Sequence, residues 1–150
     1  MSLETTINNE IKAAMLAREK LRLEALRAIK AAILLAKTAE GASGDELTDA
    51  EVTKIIQKLV KQRKESADIY SQQNRPELAE TEIAEALVME VFLPKQLSEG
   101  ELEAELKKII ESVGATAPSD MGKVMGVAAK ALAGKADGKA ISAMVKKLLG

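Results

Sequence analysis

Apolar residues recur at intervals of three and four along most of this chain, and nowhere do they alternate with polar ones long enough to predict a strand. Leu3, Ile7, Ile11, Ala14 and Met15 form one stripe over residues 3–18. The period resumes at Leu21 and runs to about Lys37 through a sequence rich in Ala and Leu, both strong helix formers. Between the two, Arg18–Lys20 holds neither Gly nor Pro, so the pattern allows two helices or one kinked helix. Gly41-Ala42-Ser43-Gly44-Asp45 reads as a loop.

Thr48-Asp49-Ala50-Glu51 has the spacing of a capping box and opens a long helix with Val52, Ile55, Ile56, Leu59, Val60 and Tyr70 on one side. That helix is predicted to end near Gln73-Asn74. The next begins at Arg75-Pro76, where a proline costs no hydrogen bond, and runs to Phe92 or Leu93 before Pro94 stops it. A second capping box, Ser98-Glu99-Gly100-Glu101, opens a helix carrying Leu102, Leu106, Ile109, Ile110 and Val113, closed by Gly114. Two more helices are predicted, from Ser119 to about Ala133 and from Asp137 to Leu149. The expected fold is all-α, with a long helical hairpin in a first part, residues 1–93, and a small three-helix domain in residues 94–150.

Composition narrows the picture. The 150 residues are 47% hydrophobic, as in a globular protein, yet the only aromatics are Tyr70 and Phe92. Leu, Ile, Val, Met and Ala must therefore fill the core. The chain contains no Cys and no His, which excludes disulfides, thiolate nucleophiles and Ser-His-Asp devices and removes the commonest metal ligands. Its carboxylates sit at helix spacings among basic residues, without a compact Asp-x-Asp cluster. No active site, metal or cofactor is therefore expected. Met1-Ser2-Leu3-Glu4 lacks the pattern of a signal peptide, and no uncharged run approaches the ~20 residues of a membrane span. A cytoplasmic protein without a membrane partner is expected.

Charge is unevenly spread. Residues 114–150 hold six basic and two acidic groups, a net +4 in a chain of net −1, whereas residues 41–93 are net −5. In the basic tail Lys123 and Lys130 lie seven residues apart, as do Lys139 and Lys146, so each pair shares a helix face. The first pair falls opposite Met121, Val124, Met125, Ala128 and Leu132, and the second opposite Ile141, Met144, Val145 and Leu148. Two readings stay open: a solvated face, or a surface for an anionic partner, nucleic-acid phosphate foremost. Gly134-Lys135-Ala136-Asp137-Gly138-Lys139 favours the second, because the turn opens a helix whose free amides attract anions, although Asp137 as the cap opposes it. No aromatic follows Phe92, so any RNA contact goes to phosphate, sugar and shape rather than stacked bases. Gly122 and Gly126 have small-xxx-small spacing and are expected at a helix–helix contact or on a flat docking face. In the hairpin, Arg63 falls inside the apolar stripe of its helix, and Glu82 and Glu90 inside that of the next. Arg63 and Glu82 are expected to form a structural ion pair.

Asp120-Met121-Gly122-Lys123-Val124-Met125-Gly126, with Gly134-Lys135-Ala136-Asp137-Gly138-Lys139 and then Ile141, Val145 and Leu148, resembles the tail signature of the GatB/YqeY family. Phe92-Leu93-Pro94-Lys95-Gln96-Leu97-Ser98 resembles that family's linker. Val60-Lys61-Gln62-Arg63-Lys64-Glu65-Ser66 with Arg75-Pro76-Glu77-Leu78-Ala79 resembles its middle hairpin. The likeness is nearest to the stand-alone YqeY-like members. It implies a two-part helical protein whose tail is similar to that of the GatB component of the tRNA-dependent amidotransferases, where it helps hold the tRNA body. It further implies Lys123, Lys130, Lys135 and Lys139 as nucleic-acid contacts, with Gly122, Gly126, Gly134 and Gly138 shaping the surface. Lys146 joins them from its place on the face of Lys139. The amidotransferase's catalytic domains have no counterpart in this sequence. The function expected is a tRNA-binding or amidotransferase-associated accessory protein. The alternatives are a module docking on an aminoacyl-tRNA synthetase or amidotransferase, and a glutamine-dependent carbon–nitrogen ligase activity within a complex.

Overall fold

In a computed structural model, which describes residues 2–39, 41 and 46–150, the backbone is helical with no strand among the described residues. The helices are α1 (Leu3–Ala17), α2 (Lys20–Thr38), α3 (Asp49–Gln72), α4 (Pro76–Glu90), α5 (Glu99–Val113), α6 (Met121–Ala131) and α7 (Gly138–Leu149). A 3-10 turn, Pro118–Asp120, leads into α6. The chain falls into two units, Met1–Leu93 and Pro94–Gly150, each with its own apolar core.

The ends of the first-unit helices follow from local chemistry. Ser2 caps α1 by accepting from the Thr5 amide at 3.1 Å. At the other end Arg18 takes a left-handed conformation with φ 58°, and the Glu19 amide donates back to the Ala14 carbonyl at 3.0 Å. This is a Schellman-type stop built without glycine. Residues 3–38 are thus two helices, antiparallel and tied by Lys30–Asn8, Arg22–Glu10 and Lys37–Glu4. Of the loop expected over Gly41–Asp45, only Gly41 is among the described residues, with φ 83°.

The capping box of α3 is formed: the Glu51 amide donates to Thr48 Oγ1 at 3.2 Å, and the Thr48 amide to Glu51 at 2.9 Å. Asp49 also accepts from the Leu3 amide at 2.8 Å, joining the starts of α1 and α3. Asn74, left-handed at φ 59°, closes α3, and the Arg75 amide reaches back to the Tyr70 carbonyl. Asn tolerates that conformation better than most residues, because its short polar side chain bonds locally. Pro76 then opens α4. This helix ends at Glu90, two to three residues earlier than the apolar pattern suggests. Val91–Leu93 form turns, with the Phe92 and Leu93 amides bonded to Met89 and Glu90.

Ile7, Leu26, Ile29, Ile33, Ile56 and Met89 are the largest fully buried side chains of the first core, and Phe92 and Leu93 pack against it from the edge. Leu106, Val124 and Val145 play that part in the second. There α5 opens with a capping box between Ser98 and Glu101 and closes on Gly114 at φ 69°. Asp120 accepts from the Thr116 and Ala117 amides at 3.0 and 3.2 Å, fixing the approach to α6.

Candidate functional site

The basic tail residues are carried by α6, α7 and the turn between them. Val124 and Ala128 are fully buried on α6 and Leu132 nearly so, which turns Lys123 and Lys130 outward. Ile141, Met144, Val145 and Leu149 are buried on α7 and leave Lys139 and Lys146 exposed. Lys123 and Lys130 stand about 10 Å apart along the helix axis. Both border one shallow open groove, which Gly122, Gly126, Val127 and Ala131 complete.

A Cβ added at Gly122 or Gly126 would meet nothing within 4 Å, so neither glycine mediates a helix contact among the described residues. Of the two roles expected for them, only the open face remains. Lys123, Lys130, Lys139 and Lys146 form no ion pair among the described residues. Asp120 stands at the foot of α6. Its carboxyl is held below its ordinary value by the Thr116 and Ala117 amides, with a smaller contribution from Lys123.

Other tail residues take different roles from those expected. Gly134 does not shape the surface: it is buried, left-handed at φ 78°, and its carbonyl accepts from Gln96 Nε2 at 2.6 Å. The Leu97 amide donates to the neighbouring Lys135 carbonyl at 3.0 Å, so this turn holds the segment after Pro94 in place. Sequence reading missed Gln96 because the contact spans 38 residues and no local pattern signals it. The anion-attracting start of α7 is answered internally, since Asp137 Oδ1 accepts from the Ala140 amide at 2.8 Å. Gly138 begins α7, exposed and unobstructed. Lys147, unremarked in the sequence, is exposed beside Lys146 in the last turn of α7.

In the hairpin the expected ion pair has a different partner. Arg63 Nε donates to Glu85 Oε2 at 3.1 Å, with both side chains mostly buried, and the pair with Glu82 does not form. The next residue, Lys64, stands 2.6 Å from Glu90. Among the described residues no group of three or more Asp or Glu could hold a metal ion, and no helix is long and apolar enough to cross a membrane.

Sequence comparison relates the chain to known proteins. The chain is 34% identical over 88 residues to altered inheritance of mitochondria protein 41, mitochondrial, of Meyerozyma guilliermondii, a match covering 59% of this chain and 44% of that protein. Proteins of the same name match from Lachancea thermotolerans (28% over 116 residues, 75% of this chain and 60% of that one) and Clavispora lusitaniae (30% over 92 residues, 61% and 52%). The chain thus spans about half the length of these relatives. The model of the family described as Yqey-like protein matches residues 4–149, from the first turn of α1 to the last residue of α7, and the chain belongs to that family.

Proposed function

We propose that the chain is a tRNA-binding accessory protein without an active site of its own, and that its tail makes the contact. The observation that carries this reading is the α6 groove, where two lysines with no ion-pair partner among the described residues run along one side of a strip of exposed helix backbone at Gly122 and Gly126. With no side chain at either glycine, a sugar–phosphate backbone can approach the helix closely while Lys123 and Lys130 neutralise successive phosphates along its edge. Lys135, Lys139 and Lys146, exposed on the following turn and α7, add positive charge to the same unit. The resemblance of the tail to that of the amidotransferase GatB component points the same way and makes an amidotransferase or aminoacyl-tRNA synthetase the natural associate.

The test is a tRNA shift assay with the full chain at two salt concentrations. Four lysine–phosphate contacts lose roughly 100-fold in affinity between about 50 and 200 mM salt, because each contact releases condensed counterions. Lys123→Ala with Lys130→Ala should weaken binding to all tRNA species alike and reduce the salt slope by about two. Unchanged binding would remove the groove from consideration. The openness of the Gly122–Gly126 face also suits close docking on a partner enzyme, and that reading predicts co-purification that ribonuclease does not disturb.

A further inference from the structure

Helix α4 is apolar on more sides than the first core uses. Ala86 and Met89 are buried in that core with Val88 packed against it, and Ala79 is buried beside the groove described below. On the outward arc Ile83, Leu87 and Val91 follow at four-residue steps and remain 42, 60 and 76% exposed. A surface helix with no further partner carries polar residues on that arc. Beside the stripe runs an open groove between α4 and the end of α3, bordered by Ser71, Ala79, Glu80, Ile83, Ala84 and Leu87.

The charge around this groove is predominantly negative. Glu80 borders it, Glu77 sits in the first turn of α4, and Asp68 falls on the flank of α3 that carries Ser71. All three are exposed, and none is ion-paired among the described residues. Of the nearby cations, Lys64 is already engaged with Glu90, and Arg75, exposed beside Pro76 at the groove's end, is outnumbered by the three carboxylates. The α3–α4 hairpin as a whole holds nine acidic and six basic groups.

We infer that this groove docks an amphipathic helix of a partner protein, whose apolar stripe meets Ile83, Leu87 and Val91 and whose Lys or Arg side chains meet Glu77, Glu80 and Asp68. Residues 76–91 extend about 22 Å, room for four turns of such a helix. A nucleic acid or acidic helix would meet these carboxylates at like charge. The occupant therefore differs in kind from one suited to the lysines of the second unit, and the inference stands apart from the tRNA reading.

The test uses the full chain and two labelled helical peptides of about 18 residues, long enough for the four turns available. Both carry the same leucine stripe, one with Lys and the other with Glu at the polar positions. Fluorescence anisotropy should show the Leu/Lys peptide binding, and the Leu/Glu peptide binding at least tenfold more weakly. Ile83→Ser with Leu87→Ser should weaken the Leu/Lys complex tenfold or more while the far-UV circular dichroism stays unchanged. Glu77→Gln with Glu80→Gln, which leaves the apolar surface intact, should weaken it several-fold and flatten its salt dependence. Failure of the Leu/Lys peptide to bind, equal binding of the two peptides, or binding that survives the serine changes overturns the inference. So does a dimer, seen by light scattering, that Leu87→Ser dissociates, since a second copy would then occupy the groove.

Discussion

Arg63 and Glu85 each stand eleven residues from Asn74, and that symmetry explains why they meet. In an antiparallel hairpin, residues equidistant from the turn lie at the same height, so Glu82 sits most of a turn nearer the loop. Both partners are mostly buried, which makes truncation of one more costly than at an exposed pair. Glu85→Gln should lower stability to urea by about 1–2 kcal/mol, because it leaves a charged guanidinium with a weakened partner. Glu82→Gln should change stability by less than about 0.5 kcal/mol. Equal losses in the two variants would mean the register is not the one described. The sequence revealed the arginine by its place in an apolar stripe but not which carboxylate it takes, because both glutamates lie within one turn of the same helix. Arg18 was hidden for a different reason. A left-handed cap is announced by glycine or asparagine, and here an arginine adopts it.

The capping boxes of α3 and α5 and the proline starts were readable because each depends on residues within one helical turn of one another. The early end of α4 was not, since Val91–Leu93 are as apolar as the helix before them and only their packing turns the chain. Two carboxylates at helix starts also give the second unit an acid sensitivity. The Glu101 carboxyl is held below its ordinary value chiefly by the Ser98 amide, then by the Ser98 hydroxyl and Lys95, and Asp120 by the Thr116 and Ala117 amides. A depressed folded-state value means the contribution is complete above the unfolded-state values, 4.5 and 3.8, and is lost as pH falls through the folded ones. Thermal melts from neutral pH down to about 2.5 should therefore show stability falling at the acid end. Asp120→Asn and Glu101→Gln should each flatten that fall while lowering the midpoint at neutral pH. An unaltered fall in the double variant would show that other carboxylates govern it.

The two cores share no buried residue, and the break between units falls at Pro94, the first proline after α4. Pro94 was visible in the sequence; the latch of Gln96 on the Gly134 carbonyl, which keeps the following segment with the second unit, was not. Separate cores imply separate cooperative transitions. Residues 94–150 expressed alone should give the helical circular dichroism and a cooperative melt, and the full chain should unfold in two steps by calorimetry. A fragment without a cooperative melt, or one calorimetric transition matching its van't Hoff enthalpy, would mean that the units depend on each other for stability.

Tyr70 lies on α3 and Phe92 packs at the edge of the first core, so every aromatic ring of the protein belongs to the first unit. The second unit, with its lysine-flanked groove, is optically silent in the near ultraviolet. Tyrosine emission and near-ultraviolet dichroism follow the first unit alone and pass over whatever happens at α6. A tryptophan placed at exposed Val127, on the border of the groove, would give that surface a signal of its own and let binding at the two faces be watched at separate wavelengths.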